Sequence, residues 1–162
     1  MSDPFDDRSV PHPVPPGAYP LLEAALALLN RDLAATLPEQ LPLRLLLQSP
    51  WADEPETVCV ALADGEWHGN PLDPDQLRDA DAALAAIADA AQETVTERLW
   101  QAWPVCTEHA LGMHPGEADG RLVWCCSGQR LRRGPAHVRA AVGELDTLIR
   151  PHRPNRKRRH RS

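Results

Sequence analysis

Lysine is almost missing from this 162-residue chain, with Lys157 as the sole example, and there is one tyrosine and one phenylalanine. Tryptophans at 51, 67, 100, 103 and 124 supply the other aromatics, so a core must rest mainly on Leu, Ala and Val. Long apolar runs are missing too. The richest, Leu21 to Leu29, is interrupted by Glu23 and falls far short of the roughly 20 residues a membrane-spanning helix needs. The opening MSDPFDDRSV has no basic segment leading into an apolar one. No signal peptide and no membrane partner are expected, and a cytoplasmic location is. A serine nucleophile elbow, a phosphate-binding glycine loop and a dinucleotide fingerprint are all absent. The familiar enzyme signatures are therefore missing.

Charge is unevenly spread. The net charge is −6, yet Arg150 to Ser162 holds seven of the 17 basic residues and no acid. Residues 1–149 therefore carry ten basic and 23 acidic residues, a charge of −13. An acidic body with a basic tail is the electrostatic picture. Arg156, Lys157, Arg158, Arg159 and Arg161 could contact phosphates, in a sequence-independent and salt-sensitive way. No aromatic interleaves them, so base stacking is not offered. The other reading is a solubilising tail that pairs with the protein's own acids. Near-exclusive Arg, with abundant Ala, Pro and Leu, also points to a GC-rich coding sequence, which weakens the phosphate reading.

Three regions emerge along the chain. Residues 1–17, with PHPVPPG at their end, read as a disordered, proline-rich leader. Residues 18–149 read as a single domain, and 150–162 as a disordered basic tail. Within the domain, Leu22, Leu26, Leu29 and Leu33 form one stripe of a helix from Pro20 to about Leu37. Leu43 to Leu47 and Thr57 to Ala63 read as strands. Asp64-Gly65 marks a hairpin turn with a return strand from Glu66 to His68. A second helix is expected from Asp73-Pro74, where Asp caps and Pro suits the first turn, to about Trp100. Arg121 to Cys126 reads as a strand after an Asp119-Gly120 turn. Residues 136–149 fit strand or helix, with a slight preference for a short strand ending at Gly143.

The strongest chemical signal is WPVCTEHALGMHPGEADGRLVWCC, residues 103–126. Cys106, His109, His114 and Cys126 read as C-x2-H-x4-H-x11-C, a plausible tetrahedral zinc set of soft thiolates and borderline imidazoles. The C-x2-H pair lets one tight turn supply two ligands. The hairpin at Asp119-Gly120 then returns a cysteine from the far end. Consecutive strand residues point to opposite faces, so one ion cannot readily take both Cys125 and Cys126. Cys126 is preferred because Ser127-Gly128 could turn beside it. His114 is first choice for the fourth ligand, with Cys125 and His137 as rivals. Against this stands the plain alternative of buried inert thiols and surface histidines. Cys59, mid-strand between valines, is read in that way.

The same segment resembles one in small uncharacterised actinobacterial proteins that pair W-P-x-C-x-x-H with a later W-x-C. The likeness covers about residues 100–145. Trp124-Cys125-Cys126 is the match that places the cysteine at Cys126, while Ser127 replaces the usual proline. The resemblance implies a metal-like module and no activity.

The expectation is an α+β fold: a small antiparallel sheet on two main helices, followed by a zinc-ribbon-like hairpin at 103–128. The expected function is a non-enzymatic interaction or adaptor protein, stabilised by structural Zn2+ and binding an unknown protein partner. Weak nucleic-acid contact through the tail is the alternative. A metal-dependent hydrolase, with Glu108 or Glu117 as general base, comes third.

Overall fold

Leucines at spacings of four, three and four shape the first element. In the computed structural model, which describes residues 11–48, 55–126 and 137–148, α1 spans Pro20–Thr36. Leu22, Leu26, Leu29 and Leu33 are all buried on it. Proline suits the first turn because its missing N–H would have had no helical partner. Leu37 closes the helix through its N–H to the Leu33 carbonyl at 2.7 Å, one residue before Pro38.

The first sheet has the order β1 (His12–Pro13), β2 (Arg44–Gln48), β3 (Thr57–Ala61), all antiparallel. β1 corrects part of the leader expectation. His12 pairs with Leu47, Val14 donates to the Leu45 carbonyl at 3.1 Å, and Val14 packs on the core. Proline has no N–H to give a ladder, so it belongs on an edge strand such as this one. Residues 1–10 and most of the acidic Trp51–Pro55 loop lie outside the described residues.

The Asp64-Gly65 turn forms as expected, with Gly65 at φ +93°. Its return strand shrinks to one bridge, Ala61 to Trp67. The reason is competition from the second helix. Arg98 donates twice to the Trp67 carbonyl, and the His68 N–H goes to Thr94 Oγ1 at 3.1 Å. The backbone groups a return strand would use are already engaged.

α2 runs Ala80–Leu99 and therefore starts later than expected. Asp73 does cap, but it caps a separate 3-10 turn, Pro74–Gln76, by accepting from Asp75 N–H. Leu72 is tied to Val58 by two backbone hydrogen bonds of 2.8 Å, which fixes the chain there. Asp79 then supplies the real N-cap, accepting from Ala82 N–H at 2.8 Å. Trp100 ends the helix in the left-handed region, φ 54°.

The expected C-terminal hairpin gains a third strand and becomes a second sheet. β4 (Met113–Ala118), β5 (Arg121–Cys126) and β6 (His137–Ala141) pair antiparallel in that order. A bulge interrupts the β5–β6 ladder: Trp124 faces Ala140 and Cys125 faces Val138, so Arg139 is the extra residue. Among the described residues the fold is thus α+β, with two α-helices and two small three-stranded sheets.

One continuous core joins these parts, from Leu29 and Ile87 on the helices to Val60 on β3 and Trp124 on β5. Polar groups inside it are satisfied. Thr94 Oγ1 donates to the Val60 carbonyl at 2.8 Å. Asp32, on α1, accepts from Trp124 Nε1 at 2.8 Å and from the N–H groups of Gly143 and Leu145 at 2.7 and 2.9 Å. Burial raises its pKa, against the pull of those three donors and with a small push from Asp146. Gly143 is required here. It sits at φ +94°, and a Cβ would come within 2.7 Å of the Leu28 side chain. Among the described residues, no helix is long and apolar enough to cross a membrane.

Candidate metal centre

The first two candidate ligands come from a closed loop anchored by a tryptophan. Trp103 is buried, stacks edge-on against Trp124 at 5.8 Å, and donates its indole N–H to Thr36 Oγ1 at 2.8 Å. It pins the chain to the last turn of α1 just before Cys106. The Trp103–Pro104 peptide is cis. Beyond it, Cys106 N–H donates to the Leu111 carbonyl and Ala110 N–H to the Cys106 carbonyl, each at 2.8 Å. Val105 bridges Gly112, and Met113 N–H reaches the Pro104 carbonyl at 2.7 Å. The loop is thereby closed at its base. Cys106 is left buried at its root and His109 exposed near its tip.

The remaining two candidates come from neighbouring strands. Cys126 ends β5 and His137 begins β6, directly opposite each other in the ladder. The ligand atoms of Cys106, His109, Cys126 and His137 all lie within 4.8 Å of one another. His109 Nδ1 is 3.3 Å from Cys126 Sγ and 3.6 Å from Cys106 Sγ. The two imidazoles meet edge to face, with centroids 5.0 Å apart. These four residues could hold a metal ion.

The chemistry of the donor set fits that role. Burial pushes the Cys106 thiol up, but hydrogen bonds outweigh it and hold the pKa below the ordinary value. They come from the His109 ring, the backbone N–H groups of His109 and Glu108, and Cys126. A lowered thiol pKa eases the deprotonation that metal binding requires. His137 contributes a second indication. Its Nδ1 is buried with no hydrogen-bond partner among the described residues. A buried ring nitrogen left over in this way has its lone pair available for an ion.

His114 stands apart from this group. It lies one residue beyond Met113, which faces the main core opposite Cys126. Strand alternation turns His114 to the other face, where it pairs with Cys125. His137, the rival, takes the fourth corner. The two vicinal cysteines divide as the alternation argument requires. Cys126 belongs to the main core, and Cys125 to a small cluster with Val123 and Ala141. Burial alone raises the Cys125 pKa and takes Cys59 up to about 11. Cys59 sits on β3, in the other sheet.

Sequence reasoning missed how β6 closes the site. Glu108 reaches His137 Nε2 at 3.4 Å, and Arg139 donates to Glu108 at 2.7 Å and to Thr107 Oγ1 at 3.3 Å. A signal was present: an alternating Val138, Ala140, Val142 run that begins beside His137. The proposed turn at Ser127-Gly128 and the tail residues Arg156, Lys157, Arg158, Arg159 and Arg161 lie outside the described residues. No family model, curated protein or solved structure matches the chain.

Proposed function

We propose that this chain is a non-enzymatic interaction or adaptor protein whose C-terminal sheet is stabilised by one structural zinc ion. The observation that carries the reading is the donor set itself. Two sulfurs and two ring nitrogens, drawn from three separate stretches of chain, converge within 4.8 Å. Cys2His2 is a common tetrahedral set for structural Zn2+, and four protein ligands leave no position for a substrate. Thiolate ligands also fit a reducing, cytoplasmic setting.

The acids near the centre favour the same side. Glu108 is engaged by His137 and Arg139 and is not free to act as a general base. Trp100 supports an interaction role, since it is 93% exposed and its indole therefore adds almost nothing to the core. Val105 and Leu111, on the two arms of the loop, are exposed as well. Apolar groups displayed around a rigid, metal-held loop suit a protein partner. Nucleic-acid contact is the second reading, and it rests on the seven cations of Arg150 to Ser162.

Elemental analysis of freshly purified, tag-free, reduced protein tests the proposal. About one zinc per chain is expected, because there is one full set of ligands. Protein without zinc that also fails to take it up would overturn the reading.

A further inference from the structure

The metal centre extends beyond its four ligands. We infer that Glu108 is the positioning carboxylate of this site, fixing His137 so that Nδ1 is its ligating atom. This deepens the zinc reading and rests on it.

The geometry comes from both sides of His137. On one side Nε2 lies 3.4 Å from Glu108 Oε2. On the other, Nδ1 is buried and unpartnered among the described residues. A neutral imidazole carries one proton. A carboxylate at Nε2 draws that proton there and leaves the Nδ1 lone pair for the ion. The same contact raises the basicity of the ring as a ligand.

Glu108 is itself held. Arg139 grips its other oxygen at 2.7 Å and reaches Thr107 Oγ1 at 3.3 Å. Arg139 is the extra residue of the β6 bulge, and its side chain is 13% exposed. A bulge changes the direction in which a strand delivers a side chain. Here it sends the guanidinium of β6 back onto the loop that carries Cys106 and His109. Glu108, between those two ligands in sequence, therefore links the loop to both His137 and Arg139. The charge balance fits as well. Two thiolates and Zn2+ sum to zero, and Glu108 with Arg139 sums to zero beside them. No net charge is left at the half-buried centre.

The test is zinc affinity, measured on the full chain by competition with a chromogenic chelator. Wild type, Glu108→Gln and Glu108→Ala are compared. Glu108→Ala should weaken binding by about 10- to 100-fold, the usual cost of losing such a partner. Glu108→Gln keeps an acceptor for Nε2–H and should recover a measurable part of that loss. Nitrogen-15 NMR of the zinc-loaded wild type should show His137 protonated at Nε2 and ligated at Nδ1. Affinity within about twofold of wild type for Glu108→Ala, or ligation through Nε2, would overturn the inference and leave the zinc reading intact. Should the alanine variant lose its fold, the nitrogen assignment in wild type still decides. A wild type that binds no zinc would sink the underlying reading itself.

Discussion

Asp32 and Trp124, 92 residues apart, meet in the core, where the carboxylate takes the indole N–H at 2.8 Å. With the N–H groups of Gly143 and Leu145 on the same carboxylate, α1 is tied to the chain on both sides of the stretch from Cys126 to His137. Among the described residues no cation takes part, and the carboxylate is held by N–H donors. Asp32→Asn should lower stability by about 1–3 kcal/mol, because an amide NH2 must then face an N–H donor. Urea titration of both proteins measures it. An unchanged midpoint would show that the three donors find other partners.

The same pair makes a pH prediction. Burial holds the folded pKa of Asp32 above its ordinary 3.8. Folding therefore favours the protonated form. That contribution is fully present below 3.8 and is lost as pH rises through the folded pKa. Asn does not titrate, so the stability gap between wild type and Asp32→Asn should widen in favour of wild type as pH falls through this window. Taking the difference cancels the titration of groups the two proteins share. A gap that narrows on acidification would mean that the donors outweigh burial.

Metal content should follow the four clustered residues. Cys106→Ser, His109→Ala and His137→Ala should each remove bound zinc. His114→Ala should not, since His114 faces away beside Cys125. Cys59→Ser should also retain it, as that thiol is held near pKa 11 by burial in the other sheet. Zinc lost with His114 but kept without His137 would reverse the assignment.

Chelation should lower the melting temperature, because metal binding and folding of the loop and second sheet are coupled. Part of the helical signal should survive. Leu29, Leu33 and Ile87 are fully buried, and α1 and α2 pack directly against each other. Far-UV circular dichroism with and without chelator reads both effects. An unchanged melt in protein that has lost its zinc would point to an open site.

Trp100 should be expendable for stability. It combines 93% exposure with a left-handed φ of 54°. Trp100→Gly should leave stability unchanged or raise it by about 1 kcal/mol, since glycine adopts that conformation without penalty. A loss above about 1 kcal/mol would show that the indole packs against the fold.

The tail separates adaptor from nucleic-acid binder. A body of −13 opposes approach to DNA or RNA within a Debye length of roughly 8 Å. Labelled duplex and single strands should bind only at low salt, and deletion of residues 150–162 should abolish that binding. Tight binding that survives the deletion would move the site onto the folded domain.

Local pattern revealed most of the architecture. The leucine stripe of α1, the two β-turns and the runs that form β2, β3 and β5 each had one physical solution. The errors came where two local signals competed. Asp73 and Asp79 are both good caps, and only the pinning of Leu72 by Val58 decides between them. Three of the four clustered residues were legible, because Cys106, His109 and Cys126 lie on a loop and a strand with clear signals. His137 was obscured because its element fitted two periodicities. The roles of Glu108 and Arg139 depend on a bulge, which no spacing announced.

The pairing of Cys126 with His137 has one last consequence. The β5–β6 ladder puts these residues opposite each other. A slip of one residue would set Val138 against Cys126 and turn the imidazole to the far side of the sheet. An ion held between them would be lost at once. Such an ion acts as a proofreader, rewarding only the correct alignment of β6 and leaving every misaligned pairing without its reward.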